Sequence, residues 1–318
     1  MIEVKNLTKH YGKHVAVDHI HFTIAEGEIV GFLGPNGAGK STTMNMMTGY
    51  MASTEGEVLI SGHSILDEPE KAKAKIGYLP EQPPLYVDMK VDEYLSFVAD
   101  IKKVKSNEKK AMLANIKETV RIQEVSNRLI KNLSKGYKQR VGLAQAMVGF
   151  PEVIILDEPT VGLDPKQMME MRDVIQTLGH KHTVLLSSHI LSEVSAVCDR
   201  VIIIHKGKLV ASNTPDHLSA DLLQGSKIQS RLKGTEAEII RAAASFPAIK
   251  HVQIVGSKES GTIDVIFEGD GHADIREAVF SAMSSHQIPV LIQQPLNRSL
   301  EEIFLQVTGE GSHYDKHH

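Results

Sequence analysis

Disulfide chemistry is missing from this chain. Its 318 residues include one cysteine, Cys198, which excludes an internal disulfide framework and fits a reducing compartment. Long apolar runs are missing as well. No stretch approaches the ~18 residues that a membrane helix needs, and the opening "MIEVKNLTKHYGK" has no signal-peptide core. Nor is there an excess of positive charge: 35 Lys+Arg against 39 Asp+Glu leave a formal net charge of -4, so no nucleic-acid partner is expected. Internal repeats and low-complexity segments do not stand out. These absences point to a soluble, cytoplasmic chain with no direct membrane insertion, which can still sit on a membrane through a partner. At 318 residues it is longer than one core comfortably supports, so two domains are expected.

What is present is alternation. Strand-like "IEVKNL", "VAVDHIHFTI" and "EIVGFLG" lead into the helical "KSTTMNMMTGY", and "GEVLISG" and "AKIGYLP" follow. Two helical stretches come next, "VDEYLSFVADI" and "EKKAMLANIKETVRI", joined by the basic "KKVKSNEKK", read as a solvated loop or helix face. From residue 150 onward strand and helix alternate through "EVIILDE", "KQMMEMRDVIQTLG", "TVLLSSH", "ILSEVSAVCD" and "VIIIHKGKLVAS". That order predicts βαβ units and a parallel sheet covered on both faces. Cys198 is expected to pack in a helix against that sheet. After "NTPDHLSADLLQGS" the order becomes β-α-β-β-α-β, with a Thr235/Glu238 capping box opening the first helix, which predicts a small ferredoxin-like domain. Ser299 and Glu302 are expected to cap a last short helix, and "SHYDKHH" reads as a tail with metal binding as its alternative. The expected division is 1–222, 223–309 and a tail at 310–318, with a helical subdomain at about 83–150.

Three motifs carry chemistry. "GPNGAGKS", residues 34–41, matches G-x-x-x-x-G-K-[ST] between a predicted strand and a predicted helix. The backbone of Gly34, Pro35, Asn36, Gly37, Ala38 and Gly39 would wrap a phosphate chain, with Lys40 on the β and γ phosphates. Ser41 would offer its hydroxyl to Mg²⁺, with Thr42 beside it. "VIILDEPT", residues 153–160, is a buried strand that delivers Asp157 and Glu158 at its C-terminal end. Asp157 is the expected Mg²⁺ partner and Glu158 the group that polarises a water; neighbours on an extended strand point to opposite sides, which separates their jobs. His189 ends the next strand and is placed to hydrogen-bond the γ phosphate and orient that water. Gln82, after "GYLP", would reach Mg²⁺ or water through its amide. Tyr11 would stack on adenine, a contact worth roughly 1–3 kcal/mol in nucleic-acid systems. The third motif, "LSKGYKQR" at 133–140, is a helix start capped by Ser134 with Lys135, Gly136 and Lys138 close by, a second place suited to a phosphate.

Taken together and in this order, Tyr11, "GPNGAGKST", Gln82, "LSKGYKQR", "VIILDEPT", "GLD" at 162–164 and His189 resemble the nucleotide-binding subunit of an ABC transporter, over roughly residues 1–215. The resemblance implies an α/β, P-loop NTPase fold of ABC type with an inserted helical subdomain and an antiparallel β subdomain, ahead of the C-terminal α+β domain. It implies an ATP hydrolase using ATP and Mg²⁺, in which two subunits sandwich two ATP molecules head to tail. Ser134 and Gly136 then serve the γ phosphate on the partner subunit, and Asp164 lies at the same interface. A permease must be a separate polypeptide, holding the chain on the inner face of the membrane. Leu85, Tyr86, Met89 and Tyr94 are the candidates for receiving its cytoplasmic helix. The signature departs from Leu-Ser-Gly-Gly-Gln at Lys135 and Tyr137, and Lys135 either faces the partner's phosphate or solvent. This form and the ending "SLEEIFLQVTG" are similar to a subgroup of bacterial ABC type 2 exporters that includes gliding-motility and multidrug-export ATPases. A soluble ABC-fold ATPase acting on ribosomes or DNA is the alternative. Ribosome-acting relatives usually carry two ATPase halves, and DNA-repair relatives carry long coiled coils or paired cysteines. A ligand-sensing role for the C-terminal domain is compatible with the first reading.

Overall fold

The Val-, Ile- and Leu-rich runs form the strands of three sheets in a computed structural model of the chain, which describes residues 1–215, 227–257, 259–270 and 275–295. The chain divides into two compact units, Met1–Pro215 and Asp216–His318. The residue 222 boundary read from sequence, the Ser299/Glu302 cap and the tail lie outside the described residues.

In the first unit, β1 (Ile2–Tyr11), β2 (His14–Ile24), β4 (Glu55–Ile60) and β5 (His63–Ser64) make an antiparallel sheet in the order β2-β1-β4-β5. The second sheet holds β3 (Ile29–Leu33), β6 (Ile76–Leu79), β7 (Val153–Leu156), β8 (Thr183–Ser188), β9 (Arg200–His205) and β10 (Lys208–Asn213), in the order β10-β9-β3-β8-β7-β6. All its pairings are parallel except β9–β10. Every residue of β3, β7 and β8 is buried, as expected of parallel strands covered on both faces. One core joins the sheets, with Phe22 and Phe32 ring centroids 5.7 Å apart.

The helices fill the connections. α1 (Lys40–Met47) follows β3, and α2 (Pro69–Ala74) precedes β6. Between β6 and β7 run α3 (Val91–Ile101), α4 (Ser106–Thr119) and α5 (Lys135–Met147), which pack on one another. α6 (Pro165–Gly179) and α7 (Leu191–Ser195) complete the set. Sequence reading missed β5 and α2, which are too short to show a period, and took "VIIIHKGKLVAS" as one strand. The chain instead reverses at Lys206 (φ 47°) and Gly207 (φ 77°) to make the β9–β10 hairpin. α7 is shorter than the ten-residue stretch "ILSEVSAVCD", because the chain leaves the helix at Ala196 and pairs the Cys198 and Asp199 amides with Val194 and Ile29 carbonyls. Cys198 is buried beside Gly31 of β3, and that burial pushes its thiol up.

The second unit has β11 (Lys227–Leu232), α8 (Glu236–Ala244), β12 (His251–Gly256), β13 (Ile263–Glu268), α9 (Arg276–Ser285) and β14 (Val290–Pro295). Its strands pair antiparallel in the order β12-β13-β11-β14. The capping box is formed: Glu238 N donates to Thr235 Oγ1 at 3.4 Å, and Thr235 N donates to Glu238 Oε2 at 2.9 Å. Phe267, Leu232, Ile239, Val279 and Met283 lie in a single core between sheet and helices. Among the described residues no helix is long and apolar enough to cross a membrane.

Gly77 in β6 is where the helical insert meets the parallel sheet, since a Cβ there would collide with the Ala146 carbonyl of α5. Gly77→Ala forces those backbones apart at a cost of about 1–3 kcal/mol, which lowers the thermal midpoint by roughly 2–12 °C. Differential scanning fluorimetry checks it; an unchanged midpoint means the contact has slack.

Candidate functional site

Because β6, β7, β8 and β3 are parallel neighbours, their C-terminal ends open along one edge. The segments that follow these strands carry Gln82, Asp157–Glu158, His189 and the phosphate loop in turn. The loop ends are stitched together: Gly34 N donates to Ser188 O at 3.3 Å, and Asp157 N donates to Leu79 O at 2.8 Å.

The phosphate loop is built by close approach. Gly39, the α1 N-cap, has φ 109°, and a Cβ on it would lie 2.7 Å from the Ala16 carbonyl of β2. A Cβ on Gly34 would collide with the Ile204 carbonyl of β9. The loop therefore lies wedged between β2 and the β9–β10 hairpin, whose Gly207 N donates to Ala38 O at 2.9 Å. Gly34 and Ala38 form the back of the loop. Tyr11, Pro35, Asn36, Gly37, Gly39, Lys40, Ser41 and Thr42 line a cleft of about 510 Å³, together with Glu158 and His189. Lys40 is 6% exposed, and its ammonium donates to Gly34 O at 2.7 Å and Pro35 O at 3.3 Å.

Asp157 and Glu158 have different partners. β7 ends at Leu156, so the strand alternation expected from sequence does not reach them; Glu158 instead turns into the left-handed region, φ 48°. That conformation costs about 1–3 kcal/mol for a non-glycine residue. It is held by Ser187, whose Oγ accepts from Glu158 N at 2.8 Å and donates to Asp157 Oδ1 at 2.6 Å. Glu158 reaches into the cleft, 3.3 Å from Lys40 Nζ through Oε1 and 2.9 Å from His189 Nδ1 through Oε2. Lys40 and Glu158 side chains are 5% and 9% exposed, while His189 is 41% exposed. Asp157 is buried behind the cleft.

The second anion-ready helix start lies in another cleft. Ser134 caps α5 and accepts from Tyr137 N at 3.4 Å. Asp164 caps α6, accepting from Gln167 N at 2.8 Å. Gly136 lets the two first turns touch, since a Cβ there would come within 2.5 Å of Gln167 Oε1. Ser134, Gly136, Tyr137 and Asp164 share a pocket of about 210 Å³ that has no lining residue in common with the phosphate-loop cleft. Lys135 is exposed and extends over Gly162 of the same chain, where a Cβ would collide with its ammonium.

Tyr11 is 47% exposed, with Lys9 Nζ 5.5 Å from its ring centroid. Gln82 is exposed outside the cleft, and its neighbour Glu81 lines it. Sequence reading overlooked Ser187 and Thr160; the two hydroxyls of "LSSH" at a strand end were the available signal. A separate groove of about 400 Å³ is lined by Tyr86, Tyr94, Phe97, Val98 and Ile101. Of the four docking candidates only Tyr86 and Tyr94 line it. Tyr94 forms its floor at 3% exposure; its hydroxyl lies 2.6 Å from Gln145 Oε1, and burial pushes its phenol up to about 12. Leu85 and Met89 are half-buried outside the groove.

A family model described as "ABC transporter" matches residues 17–161. The chain is 35% identical over 315 residues to an uncharacterized ABC transporter ATP-binding protein, YhcH, of Bacillus subtilis (strain 168), covering 98% of this chain and 96% of that one. It is 33% identical over 310 residues to the linearmycin resistance ATP-binding protein LnrL of the same organism, covering 97% and 98%. Among solved structures it matches a dimeric, post-hydrolysis ATP-binding cassette bound to ADP and Pi, with TM-score 0.61 and 27% identity over 67% of this chain and 98% of that chain. The likeness to both relatives runs through both units, well beyond the phosphate loop. The chain belongs to the ABC transporter ATP-binding proteins, transport-coupled ATPases of the P-loop NTPase fold.

Proposed function

We propose that this chain is the ATP-binding subunit that energises a separate membrane permease, in the export direction, from the inner face of the cell membrane. The observation that carries the reading is the pair of anion-ready clefts with no residue in common. A helix N-terminus favours an anion by about 0.3–1 kcal/mol when exposed. Ser134 and Gly136 have no phosphate of their own loop to hold, so a phosphate chain carried by a second ATPase subunit suits them. Two subunits then close head to tail on two ATP molecules, with Asp164 linking the sites. The dimeric cassette bound to ADP and Pi is a precedent in a relative, and the resistance protein's name supports export.

Within one subunit, Lys40 holds the β and γ phosphates, the loop amides wrap them, and Tyr11 packs on the base. Glu158 takes a proton from the attacking water and His189 orients that water. The donor chemistry suits Mg²⁺, although of the three ligands only Ser41 lines the cleft, with Asp157 buried behind it and Gln82 exposed outside it. A hydroxyl, an amide and one carboxylate suit a hard cation that completes its shell with phosphates and water. Ser41, Asp157 and Gln82 would hold the ion, which supplies neutralisation of phosphate charge. The Tyr86–Ile101 groove would receive a helix of the permease. We read the helical insert at about 83–150 and the division 1–222, 223–309 and 310–318 as the working domains, the second an α+β ferredoxin-like accessory domain.

Glu158→Gln should keep MgATP binding, lose about 10²–10⁴ in turnover and accumulate as a dimer on light scattering; a monomer with full turnover would sink the scheme. Lys40→Ala should abolish MgATP binding, whereas Ser134→Ala should lower turnover more than monomer affinity, as titration calorimetry beside an ATPase assay will tell. The tagged Glu158→Gln chain, purified with MgATP from solubilised native membranes, should bring down a polytopic membrane protein in stoichiometric yield. Recovery of ribosomal or DNA-repair proteins instead would favour the soluble alternative. Adding Ile101→Asp should cut the permease yield by about tenfold, the effect of one lost apolar anchor.

A further inference from the structure

We propose that Glu193 is a positioning residue for hydrolysis: its carboxylate ties together, through Thr160 and Ser188, the two loops that carry Glu158 and His189. Glu193 lies in α7 and is 7% exposed. Its Oε2 accepts from Thr160 Oγ1 at 2.7 Å and from Ser188 Oγ at 3.1 Å. Thr160 is two residues beyond Glu158, and Ser188 is the residue before His189. Glu158 and His189 are themselves joined at 2.9 Å. The chain therefore closes a ring: Glu158, Thr160, Glu193, Ser188, His189 and back to Glu158.

The ring is specific in its chemistry. Both hydroxyls converge on one oxygen, and they come from segments about thirty residues apart in sequence. Ser188 Oγ also accepts from Ile190 N at 3.0 Å, so the backbone is held on both sides of His189. α7 does not need this carboxylate for packing, because Leu191 and Val194 already bury its apolar side. A carboxylate buried against two hydroxyls is an expensive way to fill space, since removing a charge from water carries a large penalty. What it supplies is a fixed spacing between two loops. Ser187 fixes the Asp157–Glu158 turn from inside the ring, and Glu193 fixes its far side. His189, at 41% side-chain exposure, has little packing of its own to hold it.

The inference rests on Glu158 and His189 being the reacting pair, so the experiment includes His189→Ala. Steady-state MgATPase and MgATP binding are measured on the full chain for Glu193→Ala, Glu193→Gln, Thr160→Val and His189→Ala, with thermal midpoints. Glu193→Ala should lower kcat by about 10- to 100-fold, the effect of an ångström-scale misplacement, while MgATP affinity stays within about threefold. Glu193→Gln should recover most of kcat, because an amide oxygen can accept both hydroxyls. Thr160→Val should fall in the same direction, and its combination with Glu193→Ala should be no worse than the more damaging single change. Normal kcat in Glu193→Ala, a Gln variant as impaired as Ala, or parallel loss of kcat, affinity and thermal midpoint would each overturn the proposal. Full turnover in His189→Ala would overturn it together with the reading of the reacting pair. If His189→Ala is impaired and Glu193→Ala is not, only the role of Glu193 falls.

Discussion

The contact on which the nucleotide site depends is the buried ion pair of Lys40 and Glu158, 3.3 Å apart at side-chain exposures of 5% and 9%. It joins the first residue of α1 to the turn after β7, two segments far apart in sequence and brought together by the sheet order β3-β8-β7. Burying two opposite charges gains stability only when their remaining donors and acceptors are satisfied. Here they are: the ammonium has two loop carbonyls, and the second carboxylate oxygen has His189. The same arrangement sets up a competition. A phosphate chain entering the cleft would bring negative charge to Lys40, and Glu158 is the group it would have to compete with.

Division of labour between the adjacent carboxylates follows from backbone geometry. The left-handed turn at Glu158 sends its side chain into the cleft, while Asp157 remains buried against Ser187. Ser187 thus acts twice with one hydroxyl, accepting from the strained residue's amide and donating to its neighbour. Strain of about 1–3 kcal/mol at one residue is tolerable only where the surroundings over-determine it.

Much of the chain was legible beforehand because its signals were periodic or local. Fully buried strands read as apolar runs, Gly34–Ser41 carry a spacing fixed by backbone geometry, and the Thr235 and Ser134 caps depend on residues three apart. What stayed hidden was set by tertiary contact. The β9–β10 reversal is the exception, a local turn at Lys206 and Gly207 inside the polar stretch His205–Lys208 that was read through as strand, and β5 is too short to alternate. Gly77 looks like an ordinary small residue until Ala146 is seen against it, and the packing of Gly136 on Gln167 is likewise silent in sequence. The loop after β6 shows the same limit. Sequence reading singled out Gln82 after β6, and only the fold determines that its neighbour Glu81 lines the cleft while Gln82 lies outside it.

The two clefts have no lining residue in common, and the helix starts at the second one are closely packed. Ser134 and Asp164 begin α5 and α6, and Gly136 permits their first turns to touch, so the acidic cap of one lies beside the hydroxyl cap of the other. By charge alone, Asp164 would disfavour an anion there and the α5 amides would favour one. The exposed Lys135 side chain passes close to Gly162 of its own chain, in the turn after Glu158.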